Sequence, residues 1–134
     1  MNTAIAATIL IVDDEAGNRE QLVELLGAEG YRTITAANGK NALAATFERQ
    51  PDLILLDVTM PGMDGFEVAN ALKSNAATAN IPIIMVTAHA GRGARVVGLE
   101  SGAEEYLTKP IDPAELSLRV RNLLRLKAHG DRLD

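Results

Sequence analysis

The alternation of short apolar runs with segments of helical spacing constrains the fold more than any other feature of this chain. Five apolar runs recur along the 134 residues, at positions 8–12, 32–36, 53–56, 83–86 and 106–108. The first, third and fourth runs are nearly continuous, which is typical of parallel strands that are covered on both faces. The pattern therefore predicts five β-strands in a sheet that is buried between two layers.

Each run is followed by a segment whose apolar residues recur every three or four positions, as they do on one face of a helix. The stripes consist of Leu22, Leu25 and Leu26; Leu43 and Phe47; Phe66, Ala69 and Leu72; Val96, Val97 and Leu99; and Leu116, Val120, Leu123 and Leu124. Strict alternation of strand and helix implies a parallel sheet with right-handed crossovers and helices on both faces. We therefore predict an α/β fold of the flavodoxin-like (βα)5 type, with a doubly wound five-stranded parallel sheet of order 2-1-3-4-5.

Composition argues against several classes of function. The formal net charge of −5 repels phosphate backbones, and aromatic residues, which stack on bases, make up 3% of the chain. We therefore predict no direct binding of nucleic acid. The first residues lack the basic and apolar regions of a signal peptide, and no apolar stretch approaches the ~20 residues of a membrane span. Together with the absence of cysteine, these features predict a cytoplasmic protein without membrane contact.

Polar residues stand at the ends of four predicted strands. Asp13 and Asp14 follow the first strand, Asp57 follows the third, Thr87 ends the fourth and Lys109 follows the fifth. The first and third strands are neighbours where the strand order reverses, which is where ligands bind in such folds. The three carboxylates would repel one another, and a divalent cation such as Mg²⁺ would relieve the repulsion. A carboxylate nucleophile, a metal, a cation and a hydroxyl are the parts that phosphoryl transfer uses.

Four segments resemble, in order and spacing, the signature of the receiver domains of two-component response regulators. They read ILIVDDE (residues 9–15), LLDVTMPGMDG (55–65), VTA (86–88) and LTKP (107–110). The resemblance covers about residues 8–127. It implies a receiver domain at residues 1–127, and we interpret residues 128–134 as a C-terminal tail or the start of a connector.

The resemblance implies roles around a phosphoryl group. Asp57 would be the phosphoacceptor, Lys109 would pair with the phosphoryl group, and the backbone of Ala88 would contact it. Thr87 would turn its hydroxyl inward to bond the same group. Tyr106 matches an aromatic position that swings inward in this family as Thr87 moves.

The resemblance also implies a metal site. Asp14 and Asp57 would ligate Mg²⁺ directly, with the backbone carbonyl of Thr59 as a third protein ligand. Asp13 would act through a metal-bound water. Mn²⁺ is the alternative ion for the same set of oxygen ligands.

The implied function is a signalling switch and not an enzyme with a separate substrate. The phosphoryl group would come from the phosphohistidine of a sensor histidine kinase or phosphotransfer protein, and its arrival would remodel the face around helix four, strand five and helix five. Leu118 and Leu126 fall outside the main stripe of the last helix, which suggests that this helix contacts either a partner or a second copy of the chain, the latter as a homodimer through the same face. Residues 91–95 and 98–103 look similar to receivers joined to diguanylate cyclases, which suggests an output of that class.

Two other functions stay open from the sequence. Phosphohydrolases with an aspartate nucleophile often carry a second aspartate two residues later as general acid, and here Thr59 holds that position. An interaction module without chemistry would not require the complete polar set at the strand ends. We interpret Asp52 and Asp64 as solvated loop residues and His89 as an exposed loop histidine.

Overall fold

The computed structural model describes residues 6–88 and 101–133, with side chains described as far as residue 128. Its elements are β1 (Thr8–Val12), α1 (Ala16–Ala28), β2 (Arg32–Ala36), α2 (Gly39–Arg49), β3 (Leu53–Asp57), α3 (Gly65–Lys73), β4 (Ile83–Thr87), β5 (Glu105–Thr108) and α4 (Pro113–Leu133). Helix α4 is the fifth helix of the sequence prediction. The predicted helix around residues 96–99, and His89, lie outside the described residues.

The five strands form one parallel sheet with the order β2-β1-β3-β4-β5. This confirms the predicted doubly wound, flavodoxin-like arrangement. In the register between β1 and β3, Val12 pairs with Leu56. The residues that follow this pair, Asp13 and Asp57, therefore emerge side by side at the carboxyl edge of the sheet.

Two apolar clusters cover the two faces of the sheet. Alternate strand residues such as Leu10 and Val12 pack with residues of α2 and α3, including Leu72. The intervening residues, such as Ile9 and Ile11, pack with residues of α1 and α4. Each fully buried leucine or isoleucine contributes about 1.5–3 kcal/mol, so the two clusters together hold the sheet and its edge in place.

Several helix boundaries follow from local signals in the sequence. The Asn38 side chain accepts a hydrogen bond from the backbone N–H of Asn41 and caps α2. After α1, Gly30 adopts a φ of +95°, the left-handed conformation in which glycine commonly ends a helix. The boundaries that determine the spacing of the strands are thus encoded close to where they occur.

A cluster at the amino edge of the sheet joins α3 to β4 and to the start of β5. Lys73 Nζ donates to the carbonyl oxygens of Ala79 at 3.0 Å and Ile81 at 2.8 Å, and it pairs with Glu104 Oε2 at 2.9 Å. The other carboxylate oxygen of Glu104 accepts a bond from the N–H of Ile83 at 2.7 Å. The lysine side chain is 15% exposed and that of Glu104 is 37% exposed, whereas the two bonds to the carbonyl oxygens are partly buried.

We predict that Lys73→Met lowers the free energy of unfolding by about 2–3 kcal/mol, because two partly buried carbonyl oxygens and the Glu104 carboxylate lose their donor. Urea denaturation monitored by circular dichroism measures the change. The control is Arg119→Met, which breaks the pairs with Glu105 at 3.6 Å and Glu115 at 3.7 Å. Because the arginine side chain is 39% exposed, the expected cost is less than about 1 kcal/mol. Equal losses in the two variants would contradict the prediction.

Candidate functional site

Three carboxylates meet at the carboxyl edge of the sheet. Asp13 and Asp14 follow β1, and Asp57 is the last residue of β3. One oxygen of each side chain lies within 4.8 Å of the oxygens of the other two. Asp13 and Asp57 are buried and Asp14 is exposed, so the cluster opens to solvent on the side of Asp14.

Lys109 lies beside the two buried carboxylates. Its Nζ is 3.4 Å from Asp13 Oδ2 and 3.7 Å from Asp57 Oδ2. Its backbone N–H donates to the carbonyl of Thr87 at 2.7 Å, which ties the end of β5 to the end of β4. The peptide bond between Lys109 and Pro110 is cis. One positive charge therefore faces two buried negative charges.

The environment of Asp57 disfavours its ionised form. Burial raises the pKa of its carboxyl group from the ordinary 3.8 to about 6. Lys109 opposes this shift, Asp13 and Asp14 add to it, and the backbone N–H of Thr59, which donates to Asp57 Oδ1 at 3.3 Å, opposes it. The carboxylate charge at Asp57 is thus incompletely compensated by the protein itself.

The donor set at this edge suits a hard divalent cation. The three side chains offer carboxylate oxygens, which are the ligands that Mg²⁺ and Mn²⁺ prefer. The added positive charge would also favour the ionised form of Asp57, which burial opposes. The residues therefore fit an oxygen-ligated metal ion, as the sequence indicated.

The remaining predicted residues surround this cluster. Thr87 is buried at the end of β4, and Ala88 follows it at the surface. Thr59 is exposed in the segment after β3. Tyr106, on β5, is 7% exposed and packs in the apolar cluster beneath α2 and α3, so in this structure its side chain lies inward.

Two supporting contacts near the site were missed by the sequence analysis. Arg19 Nη1 donates to the backbone carbonyl of Asp13 at 2.7 Å, and Asp13 Oδ1 accepts a bond from the N–H of Glu15 at 2.9 Å. Both bonds fix the segment that carries the first two carboxylates. Arg19 had no detectable signal, because a contact between a helix side chain and a preceding carbonyl depends on how the chain turns.

Asp52 and Asp64 are partly exposed residues outside the helices and strands, and each also makes a hydrogen bond that the sequence interpretation did not assign. Asp52 Oδ2 accepts a bond from the N–H of Thr8 at 2.8 Å and so helps to fix the start of β1. Asp64 caps α3 by accepting from the N–H of Glu67, and Glu67 Oε1 accepts from the N–H of Asp64. The aspartate and the glutamate three residues later are a capping-box signal that was present in the sequence.

Comparison with known proteins agrees with this geometry. The profile of the response regulator receiver domain family matches residues 9–121. Response regulator PleD of Caulobacter vibrioides is 50% identical over 129 residues, which are 96% of this chain and 28% of PleD. The phosphate regulon regulatory protein PhoB of Pseudomonas aeruginosa is 46% identical over 95% of this chain and 56% of PhoB.

A solved structure shows the same fold. The crystal structure of a putative response regulator from Chloroflexus aurantiacus matches with a TM-score of 0.87 and 38% identity, covering 90% of this chain and 99% of that one. A parallel sheet with helices on both faces and an acidic cluster at its carboxyl edge is typical of receiver-like signalling modules. This chain belongs to the response regulator receiver domain family, which confirms the resemblance seen in the sequence. It spans less than two thirds of the length of the curated relatives named above.

Among the helices of the described residues, none combines the length and the apolar character that a bilayer span requires.

We predict that the metal-free protein loses stability as the pH rises from about 4 to about 6. The pKa of the Asp57 carboxyl group is higher in the folded state than in the unfolded state, so the folded state binds this proton more tightly. The stability that this tighter binding provides at low pH is lost as the pH rises through the folded-state pKa. Urea denaturation in a chelator at several pH values measures this slope.

Asp57→Asn should flatten the slope and raise the stability of the metal-free protein at pH 7. The matched control is Asp52→Asn, which removes a carboxylate at the opposite end of β3 and should leave the slope in place. If Asp57→Asn still lost stability between about pH 4 and about pH 6, Asp57 would not be the carboxyl group whose raised pKa causes the loss.

Proposed function

We propose that this receiver domain is a Mg²⁺-dependent phosphorylation switch whose phosphoacceptor is Asp57. The observation that carries the proposal is the meeting of three carboxylates within 4.8 Å beside Lys109 at the carboxyl edge of the sheet. The phosphoryl donor is the phosphohistidine of a sensor histidine kinase or a phosphotransfer protein. A carboxylate oxygen of Asp57 attacks phosphorus, the bond from phosphorus to the histidine nitrogen breaks, and an acyl phosphate forms.

Residues around Asp57 stabilise the transferred group. Lys109 Nζ, which is 3.7 Å from Asp57 Oδ2, pairs with the phosphoryl oxygens. Thr87 supplies its hydroxyl and Ala88 its backbone N–H. Fixed donors and charges of this kind lower the barrier because they need no reorganisation as charge develops.

Asp14, Asp57 and the backbone carbonyl of Thr59 would hold Mg²⁺, with Asp13 acting through a water and Mn²⁺ as an alternative ion. When bound, the ion neutralises negative charge on the carboxylates and on the phosphoryl oxygens. The raised pKa of Asp57 supports this part of the proposal, because the protein alone leaves that charge incompletely balanced.

The switch couples the site to β5 and α4. Thr87 and Tyr106 are the switch residues, and they lie on β4 and β5, which are paired neighbours in the sheet. The surface that responds is formed by the helix predicted around residues 96–99, by β5 and by α4. A homodimer through this surface is supported by Leu118 and Leu126 of α4, which are 47% and 66% exposed.

We also propose limits for the domain and a class of output. The receiver domain occupies residues 1–127, and residues 128–134 are a tail or the start of a connector. Helix α4 continues to Leu133, beyond the family match that ends at residue 121, which supports a helical connector. We propose an output of the diguanylate cyclase class, a cytoplasmic location, and no direct contact of this domain with nucleic acid, given the net charge of −5.

We predict that incubation with acetyl phosphate and Mg²⁺ labels the protein at one site, measured by intact-mass spectrometry as a single phosphoryl addition. Asp57→Asn should abolish the label, and a chelator should suppress it. Asp52→Asn, at the other end of β3, should label at the wild-type rate. Labelling that persists in Asp57→Asn would contradict the assignment, and rapid turnover of a chromogenic phosphate ester would favour a phosphohydrolase.

We predict that Lys109→Met slows labelling by roughly 10²-fold, in the range seen when one transition-state donor is removed. Its Mg²⁺ affinity should be equal or higher, because the lysine charge that competes with the ion is gone. The rate constant for labelling and the Mg²⁺-induced rise in melting temperature measure the two effects separately. Parallel losses in both would instead mean that Lys109 is needed for the shape of the site.

A further inference from the structure

The first residue of α3 lies directly against the main chain of the phosphoacceptor. A Cβ atom added to Gly65 would lie 2.5 Å from the carbonyl oxygen of Asp57 and 2.8 Å from Cα of Val58. The N–H of Gly65 also donates to the carbonyl of Val58 at 2.9 Å. Real Cβ atoms do not approach backbone atoms this closely, so a side chain at position 65 would displace the end of β3.

This glycine differs from the others that the structure describes in the reason it is needed. Gly30, Gly62 and Gly102 have positive φ angles, and Gly17 and Gly27 have open space where a Cβ would stand. A Cβ at Gly39 would press on side-chain atoms of Met63 and Val68 and on no backbone atom. At Gly65 the obstructing atoms belong to the backbone of Asp57 and Val58, which cannot move without moving Asp57.

The start of α3 is itself held firmly. Asp64 Oδ1 accepts from the N–H of Glu67 at 2.9 Å, and Glu67 Oε1 accepts from the N–H of Asp64 at 3.0 Å. Val68, Ala69 and Leu72 bury the inner face of the helix in the core. Strain at Gly65 would therefore act on the backbone of Asp57 and Val58 as well as on the start of α3.

The segment between Asp57 and α3 is short and carries part of the site. Its Thr59 donates a backbone hydrogen bond to Asp57 Oδ1 at 3.3 Å, and its Met63 lies against Gly39 at the start of α2. A displacement at Asp57 or Val58 would change where Asp57 stands relative to Asp13 and Asp14. It would also move the carbonyl of Thr59.

We propose that Gly65 is a positioning residue for the acidic cluster: its lack of a side chain lets the rigid start of α3 pack against Asp57 and hold it in register with Asp13 and Asp14. Gly65 touches no substrate and acts through Asp57 and the backbone of residues 58–59. The proposal rests on the proposed function for its phosphorylation readout, whereas its metal-binding readout does not depend on phosphorylation.

The test compares Gly65→Ala with Gly27→Ala, a glycine-to-alanine change in α1 that meets no atom. Three quantities are measured: the melting temperature in a chelator, the Mg²⁺ concentration that gives half of the Mg²⁺-induced rise in melting temperature, and the acetyl phosphate labelling rate as a function of Mg²⁺. For Gly65→Ala the half-maximal Mg²⁺ concentration should rise by roughly tenfold or more, the range typical when residues that orient metal ligands are lost. Labelling should recover in part at high Mg²⁺. Gly27→Ala should match the wild type in both Mg²⁺ responses.

A lower melting temperature of Gly65→Ala with an unchanged half-maximal Mg²⁺ concentration would overturn the proposal, because the glycine would then serve stability alone. If Gly65→Ala does not fold, Asp64→Ala loosens the same helix start without adding an atom. Its control is Asn38→Ala, which removes the equivalent cap of α2. A rise in half-maximal Mg²⁺ in Asp64→Ala and not in Asn38→Ala supports the proposal, and equal responses overturn it. Failure of the wild type to label while it still binds Mg²⁺ would count against the proposed function and leave the Mg²⁺ comparison decisive for Gly65.

Discussion

Pairing between β1 and β3 is the constraint on which the candidate site depends, because it holds Asp13, Asp14 and Asp57 together despite their mutual repulsion. Three carboxylates within 4.8 Å separate unless the backbone that carries them is held in place, and burial adds a cost that raises the pKa of Asp57 to about 6. The sheet supplies the restraint, because β1 and β3 are hydrogen-bonded neighbours between two apolar clusters. Lys109 compensates part of the negative charge, and the uncompensated part favours the binding of a cation.

The sheet order and the place of the site could be predicted because both depend on patterns that are local in sequence. Continuous apolar runs identified β1, β3 and β4 as buried strands, and the alternation with helices restricted the connections. Once the strand order is known, the residues after each strand share one edge. Asp13 and Asp57 therefore follow from counting along the chain, without any knowledge of side-chain packing.

The supporting contacts could not be derived in the same way. Arg19 reaches the carbonyl of Asp13 and Gly65 touches the backbone of Asp57, and both contacts depend on the angle at which a helix leaves the sheet. Apolar periodicity carries no information on that angle. Asp64 is a different case, since its capping partner Glu67 stands three positions away and the signal could have been recognised.

The two ends of α3 have a mechanical consequence for how a change at Asp57 can spread. Gly65 abuts the main chain of Asp57, and at the other end Lys73 is bound to two carbonyls and to Glu104. Because α3 is held at both ends, it resists displacement relative to the sheet. In the proposed switch, a displacement at Asp57 would therefore pass more easily across the sheet, first to Val86 of β4, which pairs with Asp57, and then to β5.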